Sequence, residues 1–385
     1  MSANTYGVGL RGGRMDQAAT SMDVLIPTHN RAALLERAVR SVLRASPAPG
    51  FAVRVTVICN GCTDDSIERM AALKAKEPGR LFVLVERRSG KSRALNLGIA
   101  STSAPLVGMI DDDEEVEAGW VQVIAEAFMD DRLDFAGGPY VACWDTPPPA
   151  WVPPDYLAVL GLADCGAVRR QYTPSFQGML KGGNAVVRRR VLERVGPYAE
   201  YLGPRAAARL FSCEDEEMYL RLLEHGARGR YLPELVIRHH VLSGRLTPAY
   251  YRQWCFWRGV SRGLMDHRHP LPVPYLAGIP RFLYGRALRG LLSAAGAIVH
   301  SVPPEARLGD ELRVWDLAGY FWGRHIYPLV RFSRAKRRRA EDRGPIPPPV
   351  PVVTAGSGER SVTVEAYKEA ATSPMTAAMS YRRPS

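Results

Sequence analysis

The sequence predicts an α/β fold on a mainly parallel sheet, and three observations carry that prediction. Short apolar strands alternate with amphipathic helical stretches across residues 22–110, the pattern of βαβ units. The strands stop at turn chemistry, as at Asn60-Gly61. The fourth strand, Leu106-Val107-Gly108-Met109-Ile110, runs straight into Asp111-Asp112-Asp113-Glu114-Glu115. A buried strand cannot keep several carboxylates at its end without something positive to hold them. Paired carboxylates at the carboxyl edge of such a sheet are a natural cradle for a divalent cation and, through it, a diphosphate. Asp111 and Asp113 stand two apart, so both reach one ion if the chain turns as it leaves the sheet. The plainer reading is an acidic first turn that complements a helix dipole.

The elements follow in order. Val24-Leu25-Ile26 is a short buried strand that Pro27 is expected to end. Residues 31–43 carry Leu34, Leu35, Ala38, Val39 and Val42 as a helical stripe. A strand at 53–59 leads to a helix at 64–75 that Thr63 or Asp64 can cap. A strand at 81–85 and a helix at 92–100 precede the acidic strand. Beyond residue 140 the pattern changes. Pro147, Pro148, Pro149, Pro153 and Pro154 impose an extended loop. Gly182-Gly183-Asn184 then leads into a strand at 185–187, helices at 190–195 and 215–225, and a short strand at 236–237 just before His239-His240. This half is expected to extend the same sheet. Residues 247–331 read as helices mixing arginine with tryptophan, tyrosine and leucine, either as core packing or as faces resting on an anionic bilayer. The lead-in at 1–21 and the basic, proline-rich tail at 334–385 are expected to be disordered.

Composition narrows the partners. Lys+Arg number 51 against 39 Asp+Glu, a formal charge of +12, which favours anionic partners. Nucleic acid is not expected among them, because the basic residues cluster only in the tail. The 6 cysteines are scattered, as in a reduced cytosolic protein, and Cys59-x-x-Cys62 lacks the second pair of a zinc site. No signal sequence is expected in residues 1–16. The longest apolar window, 290–299, falls short of the roughly 20 residues of a membrane span. A cytoplasmic protein, peripheral at most on the inner face of the membrane, is the expectation.

Taken together the motifs form an ordered series. Pro27-Thr28-His29-Asn30-Arg31 closes the first strand, and Cys59-Asn60-Gly61-Cys62-Thr63-Asp64 closes the second. Gly90-Lys91-Ser92-Arg93, the acidic strand end, Gly182-Gly183-Asn184, Glu214-Asp215-Glu216-Glu217 and His239 follow. Over about residues 22–265 this series resembles the family-2 glycosyltransferases, inverting enzymes with a GT-A fold, a Rossmann-like sheet flanked by helices. The resemblance implies a catalytic domain at 22–245, a helical C-terminal extension at 246–333, and Mg2+ or Mn2+ as cofactor. It places Pro27, Thr28, Asn30, Asn60, Arg93, Asp111 and Asp112 with the nucleotide sugar. It places Gly183, Asn184 and Glu214 on the acceptor side. Asp113, Asp111 and His239 become the metal ligands, with His240 as a rival to His239.

Asp215 becomes the catalytic base, since an inverting displacement needs one carboxylate to take the acceptor proton. Its acidic neighbours Glu214, Glu216 and Glu217 are expected to raise its pKa by repulsion. One departure is visible. Where many relatives carry Asp to read the base, this chain has Cys59 followed by Asn60, whose amide can donate and accept. A UDP-sugar is favoured, with GDP- and dTDP-sugars as alternatives, and a cell-envelope polysaccharide, a lipid-linked saccharide and a small aglycone all stay open as acceptors. Two rival readings are a catalytically silent GT-A binding protein and a nucleotidyltransferase. The latter usually opens on a glycine-rich phosphate loop, which Pro27-Thr28-His29-Asn30 is not.

Overall fold

A computed structural model describes residues 20–205, 210–301, 303 and 307–330. The sequence expectations at 1–19 and 331–385 lie outside the described residues. β1 (Ser21–Thr28) alternates its side chains between two cores, with Met22, Val24 and Ile26 on one face and Leu25 on the other. α1 (Ala32–Arg44), β2 (Ala52–Asn60), α2 (Ser66–Lys76), β3 (Leu81–Glu86), α3 (Lys91–Ala100) and β4 (Leu106–Met109) complete the βαβ half. The carboxylate of Asp64 accepts from the Ala32 amide at the start of α1 and from the Ser66 amide of α2, so one acid ties two helix starts together.

Pro27 does not end β1. It stands inside the strand, in register with Ile58 of β2. The Leu25 carbonyl accepts from Ile110 on the β4 side, and Pro27 faces that same side beyond the last β1–β4 pair. The missing amide hydrogen therefore leaves no ladder bond unmade.

The second half begins with β5 (Glu114–Val116), α4 (Trp120–Ala127), β6 (Phe135–Gly137) and β7 (Tyr140–Trp144). After the proline-rich loop come β8 (Arg170–Tyr172), β9 (Ala185–Arg188), α5 (Arg189–Val195), α6 (Glu214–Glu224), β10 (Gly229–Tyr231) and β11 (Ile237–Val241). Among the described residues these build an eight-stranded sheet ordered β3-β2-β1-β4-β9-β6-β10-β8. The sheet is mainly parallel, as expected: only β9, antiparallel to both neighbours, and β8, antiparallel to β10, run against the other strands. Strand order reverses at β1, and in α/β sheets the crevice outside such a switch point is where ligands bind. Helices α1, α2 and α4 cover one face and α3, α5 and α6 the other. A smaller sheet, β5-β11-β7, stands beside the crevice. His239 and His240 belong to β11 and do not follow it.

The extension is α7 (Pro248–Met265), a hairpin of β12 (Tyr275–Leu276) and β13 (Ile279–Pro280), α8 (Arg281–Val299) and α9 (Leu308–Phe321). Thr247 caps α7 by accepting from the Tyr250 amide. α7 and α9 touch backbone to backbone. A Cβ on Gly259 or Gly263 would strike the main chain of Asp316 or Tyr320, and one on Gly319 or Gly323 that of Phe256 or Val260. Gly259 and Gly263 of α7, with Gly319 of α9 and Gly323 in the turn that continues it (Trp322–Ile326), therefore set the crossing. α8 is longer and more apolar than the sequence reading allowed. It is the one described helix with the length and composition to cross a membrane. Gly319→Val should force α7 and α9 apart and lower stability by about 1–3 kcal/mol, read as a fall in melting temperature; an unchanged melting temperature would mean that the crossing tolerates separation.

Candidate active site

The carboxyl ends of β1 and β4 meet in the crevice through an acid–base lattice. Thr28 Oγ1 donates to Asp112 at 2.7 Å, and Arg31 reaches both Asp112 and Asp113 at 2.9 Å. Arg245, just after β11, donates to Asp113 Oδ2 at 2.6 Å, and His239 Nε2 lies 3.5 Å from the same oxygen. Burial pushes the Asp113 carboxyl up, but His239, Arg245 and Arg31 together hold it well below the usual range. Burial wins at Asp112, which is raised despite Arg31.

The acids after β4 do not act as the sequence spacing suggests. The Glu114 amide donates to the Asp111 carbonyl, closing a tight turn, and the Glu114 carboxylate accepts from the Asp111 amide. Asp111 faces Lys91 at 2.7 Å, and the cluster able to hold a cation is Asp113, Glu114 and His239, whose donor atoms lie within 4.8 Å of one another. Pairing of β5 with β11 puts His239 opposite Glu114, which fixes the cluster. Two carboxylates and an imidazole suit a divalent ion such as Mn2+ or Mg2+, and His239 Nδ1 is buried with no partner. The residues present fit a cation. His240 turns away to Glu115 at 2.5 Å, which decides between the two histidines.

A second acidic centre sits at the start of α6. Lys91 reaches Glu214 at 3.5 Å and Asp215 at 3.9 Å as well as Asp111, and these three acids keep its ammonium raised against the effect of burial. Burial and the adjacent Asp215 push Glu214 up to about 8. Asp215 is raised by burial and by Asp111, while Lys91, the Gly182 amide and Lys181 pull the other way. Its Oδ1 is buried without a hydrogen bond. Cys213 enters the helix at φ 71, a strained position for a residue with a side chain, of the kind that gathers at functional sites. The two glycines of Gly182-Gly183 have a steric reason. A Cβ on Gly182 would overlap the Asp215 carboxylate, and one on Gly183 the Glu114 carboxylate.

Both centres open onto one cavity of about 570 Å³, within the usual range for ligand sites. Pro27, Thr28, Asn30, Asn60, Asp111, Asp112, Asp113, Gly183, Glu214, Asp215 and His239 line it. Two expected residues do not. Arg93 pairs with Glu200 at 2.9 Å. Asn184 is buried, accepting from the Trp120 indole and donating to the Leu235 carbonyl, so it braces the fold. Two others line the cavity with their amides already engaged. Asn60 bonds the backbone of Glu86, Arg88 and Gly90, so it shapes the loop before α3. Asn30, at φ 57, bonds Thr63 and Asp64 and ties together the loops after β1 and β2.

Lys91, Glu114, Lys181, Tyr140 and Arg245 were missed. Lys91 and Glu114 stand inside motifs already singled out, whereas Arg245 carries no local signal. Burial lowers the Lys181 ammonium, which stacks over Tyr140 at 5.5 Å.

Residues 23–196 match the profile described as Glycosyl transferase family 2. The chain is 31% identical over 238 residues to the succinoglycan biosynthesis protein ExoU of Rhizobium meliloti (strain 1021), covering 59% of this chain and 65% of that one. It is 24% identical over 193 residues to a glucosyl-dolichyl phosphate glucuronosyltransferase of Haloferax volcanii, covering 48% and 58%. It thus spans less than two thirds of either relative's length. The fold is similar to that of a mannosyltransferase from Pyrobaculum calidifontis solved with GDP-Man and Mn2+, at TM-score 0.53 and 17% identity, covering 81% of this chain and 89% of that one. The fold is GT-A.

Glu214 predicts a pH signature. Its pKa stands at about 8 in the folded chain against 4.5 for a free glutamate, so the unfolded chain loses this proton first. Stability should therefore fall as pH rises between those values. Glu214→Gln should flatten that fall in melting temperatures taken from pH 5 to 9, and an identical slope in the variant would contradict the assignment.

Proposed function

We propose, from the match of residues 23–196 to the family-2 glycosyltransferase profile, that this chain moves a sugar with inversion from a nucleoside-diphosphate donor to a hydroxyl of a cell-envelope saccharide. The observation that carries this reading is the shared cavity. A cation-capable cluster and a buried carboxylate without a hydrogen bond on Oδ1 open onto the same space. Asp113, Glu114 and His239 would hold a divalent ion, which supplies Lewis-acid stabilisation of the departing diphosphate. Arg31 and Arg245 add two guanidiniums at that end, with donors beyond those Asp113 takes. The base and ribose would rest against Pro27, Thr28 and the loop that Asn60 orders.

Asp215 is the base. Burial and Asp111 raise its proton affinity, so that it takes the acceptor proton at Oδ2 or Oδ1 as the sugar is attacked from the face opposite the leaving group. Lys91 stands beside Asp215, Glu214 and Asp111, and its charge offsets theirs. Glu214 carries a proton below pH of about 8, which limits the negative charge around Asp215. A UDP-sugar remains the favoured donor, with GDP- and dTDP-sugars as alternatives. The chain is proposed to divide into a catalytic part at 22–245 and a helical extension at 246–333.

The extension supports a peripheral place at an anionic membrane. α8 carries Arg281, Arg286 and Arg289, has no acid, and exposes Leu288, Leu291, Leu292 and Val299, the last two at 65% and 79%. Leu291→Asn with Leu292→Asn should leave the protein in the supernatant when phosphatidylglycerol vesicles are pelleted. Wild type that fails to pellet with them would remove the membrane from this reading.

The chemistry is tested by a contrast of two variants. Asp215→Asn should lose sugar transfer by at least about a hundredfold while still binding nucleoside diphosphate with Mn2+ in calorimetry. Asp113→Asn should lose the Mn2+-dependent part of that binding. Equal damage to binding by both would reject the division of roles.

A further inference from the structure

A second concavity, of about 110 Å³, adjoins the main cavity across a shared wall of Ala158, Val159 and Trp254. Three guanidiniums from three helices line it: Arg258 of α7, Arg286 of α8 and Arg313 of α9. All three come from beyond residue 196, where the family match stops. Their acidic neighbours do not saturate them. Arg313 pairs with Asp310 at 2.9 Å, Arg258 approaches Asp316 only to 3.7 Å, and Asp155 is the acid in the lining. Arg286 makes no ion pair among the described residues. A guanidinium offers five donors in a planar fork, so one carboxylate leaves donors over. Asp155, Asp310 and Asp316 offset part of this charge, and the guanidinium donors they leave over face the hollow. The Arg258 fork also lies 5.6 Å from the centre of the Trp254 ring, so the wall between the two spaces is an aromatic plate held by one of the three arginines.

None of this serves the donor chemistry, whose diphosphate end is held by Arg31 and Arg245. Resting on the transferase reading above, we infer that this annex binds a phosphoryl group carried by the acceptor, beside the sugar that enters the main cavity. Arginine forks match phosphoryl oxygens two at a time, which suits a tetrahedral anion on a fixed stem. The annex has about one fifth of the volume of the main cavity, too little for a second sugar nucleotide and adequate for one small charged group. The phosphoryl group can come from a lipid-phosphate-linked saccharide or from a soluble sugar phosphate, and the two are separable.

Inorganic phosphate, glucose 1-phosphate and farnesyl phosphate are titrated into the full-length protein, wild type, Arg286→Gln and Arg245→Gln. Arg313→Gln stands in if Arg286→Gln melts early. An organic phosphate should bind wild type more tightly than inorganic phosphate and should weaken by about tenfold in Arg286→Gln, and by a clearly smaller factor in Arg245→Gln. A preference for farnesyl phosphate then assigns the group to a lipid-linked acceptor, and a preference for glucose 1-phosphate to a soluble one. Loss in Arg245→Gln and not in Arg286→Gln would place the phosphoryl group at the Asp113 end and overturn the inference. Equal binding of all three probes would mean an adventitious anion only, which also overturns it. Failure of the transferase reading shows separately, as absent binding of nucleoside diphosphate with Mn2+.

Discussion

Buried carboxylates in one crevice are the constraint on which the rest of this structure depends. Asp112, Asp113, Glu114 and Glu214 are almost wholly buried, and Asp111 and Asp215 open onto the same space. Like charges so placed stay ionised only where cations or hydrogen bonds meet them, and otherwise take up protons. Both outcomes occur. Arg31, Arg245 and His239 keep Asp113 anionic, whereas Glu214, with less help, is driven toward the protonated form. The result is a division of labour within one acid cluster. One end is poised to hold a cation and the other a proton.

That division needs the two glycines between the centres. Gly182 and Gly183 let a main chain pass against the carboxylates of Asp215 and Glu114, and the Gly182 amide is one of the groups that steady Asp215. It also needs the small β5-β11-β7 sheet, since the pairing of β11 with β5 carries His239 to Glu114. The helical extension is part of the same construction. Tyr250 and Trp254 of α7 line the main cavity, and α7 is fixed by its glycine crossing with α9. A change at that crossing would reach the site through packing alone, because close-packed interiors transmit displacement.

Much of this was legible in the chain. Apolar runs punctuated by Asn60-Gly61 and by the acidic strand end disclosed the βαβ half, because strand and helix periods and turn residues are local properties. The acidic strand end and the carboxylates at the head of α6 were legible as acid clusters, and both line the cavity. Motif reading does not disclose a side chain's duty to the backbone: Asn60 and Asn30 line the cavity with their amides engaged by the loops, Asn184 braces the fold, and Arg93 answers Glu200. Nothing within a few residues of any of them announces the partner.

By itself, then, the sequence determined the alternation of elements, the place of the acidic turn and the presence of a carboxylate at the head of α6, since each is set by neighbours along the chain. Tertiary structure alone decided which acids face which cations. Asp111 turned to Lys91 and Asp113 to Arg245, and His239, not His240, met Glu114 across β5 and β11. It also decided that three arginines of three helices share one hollow. The physical reason is that charge pairing acts through space over a few ångströms, between residues that the chain keeps up to 132 positions apart.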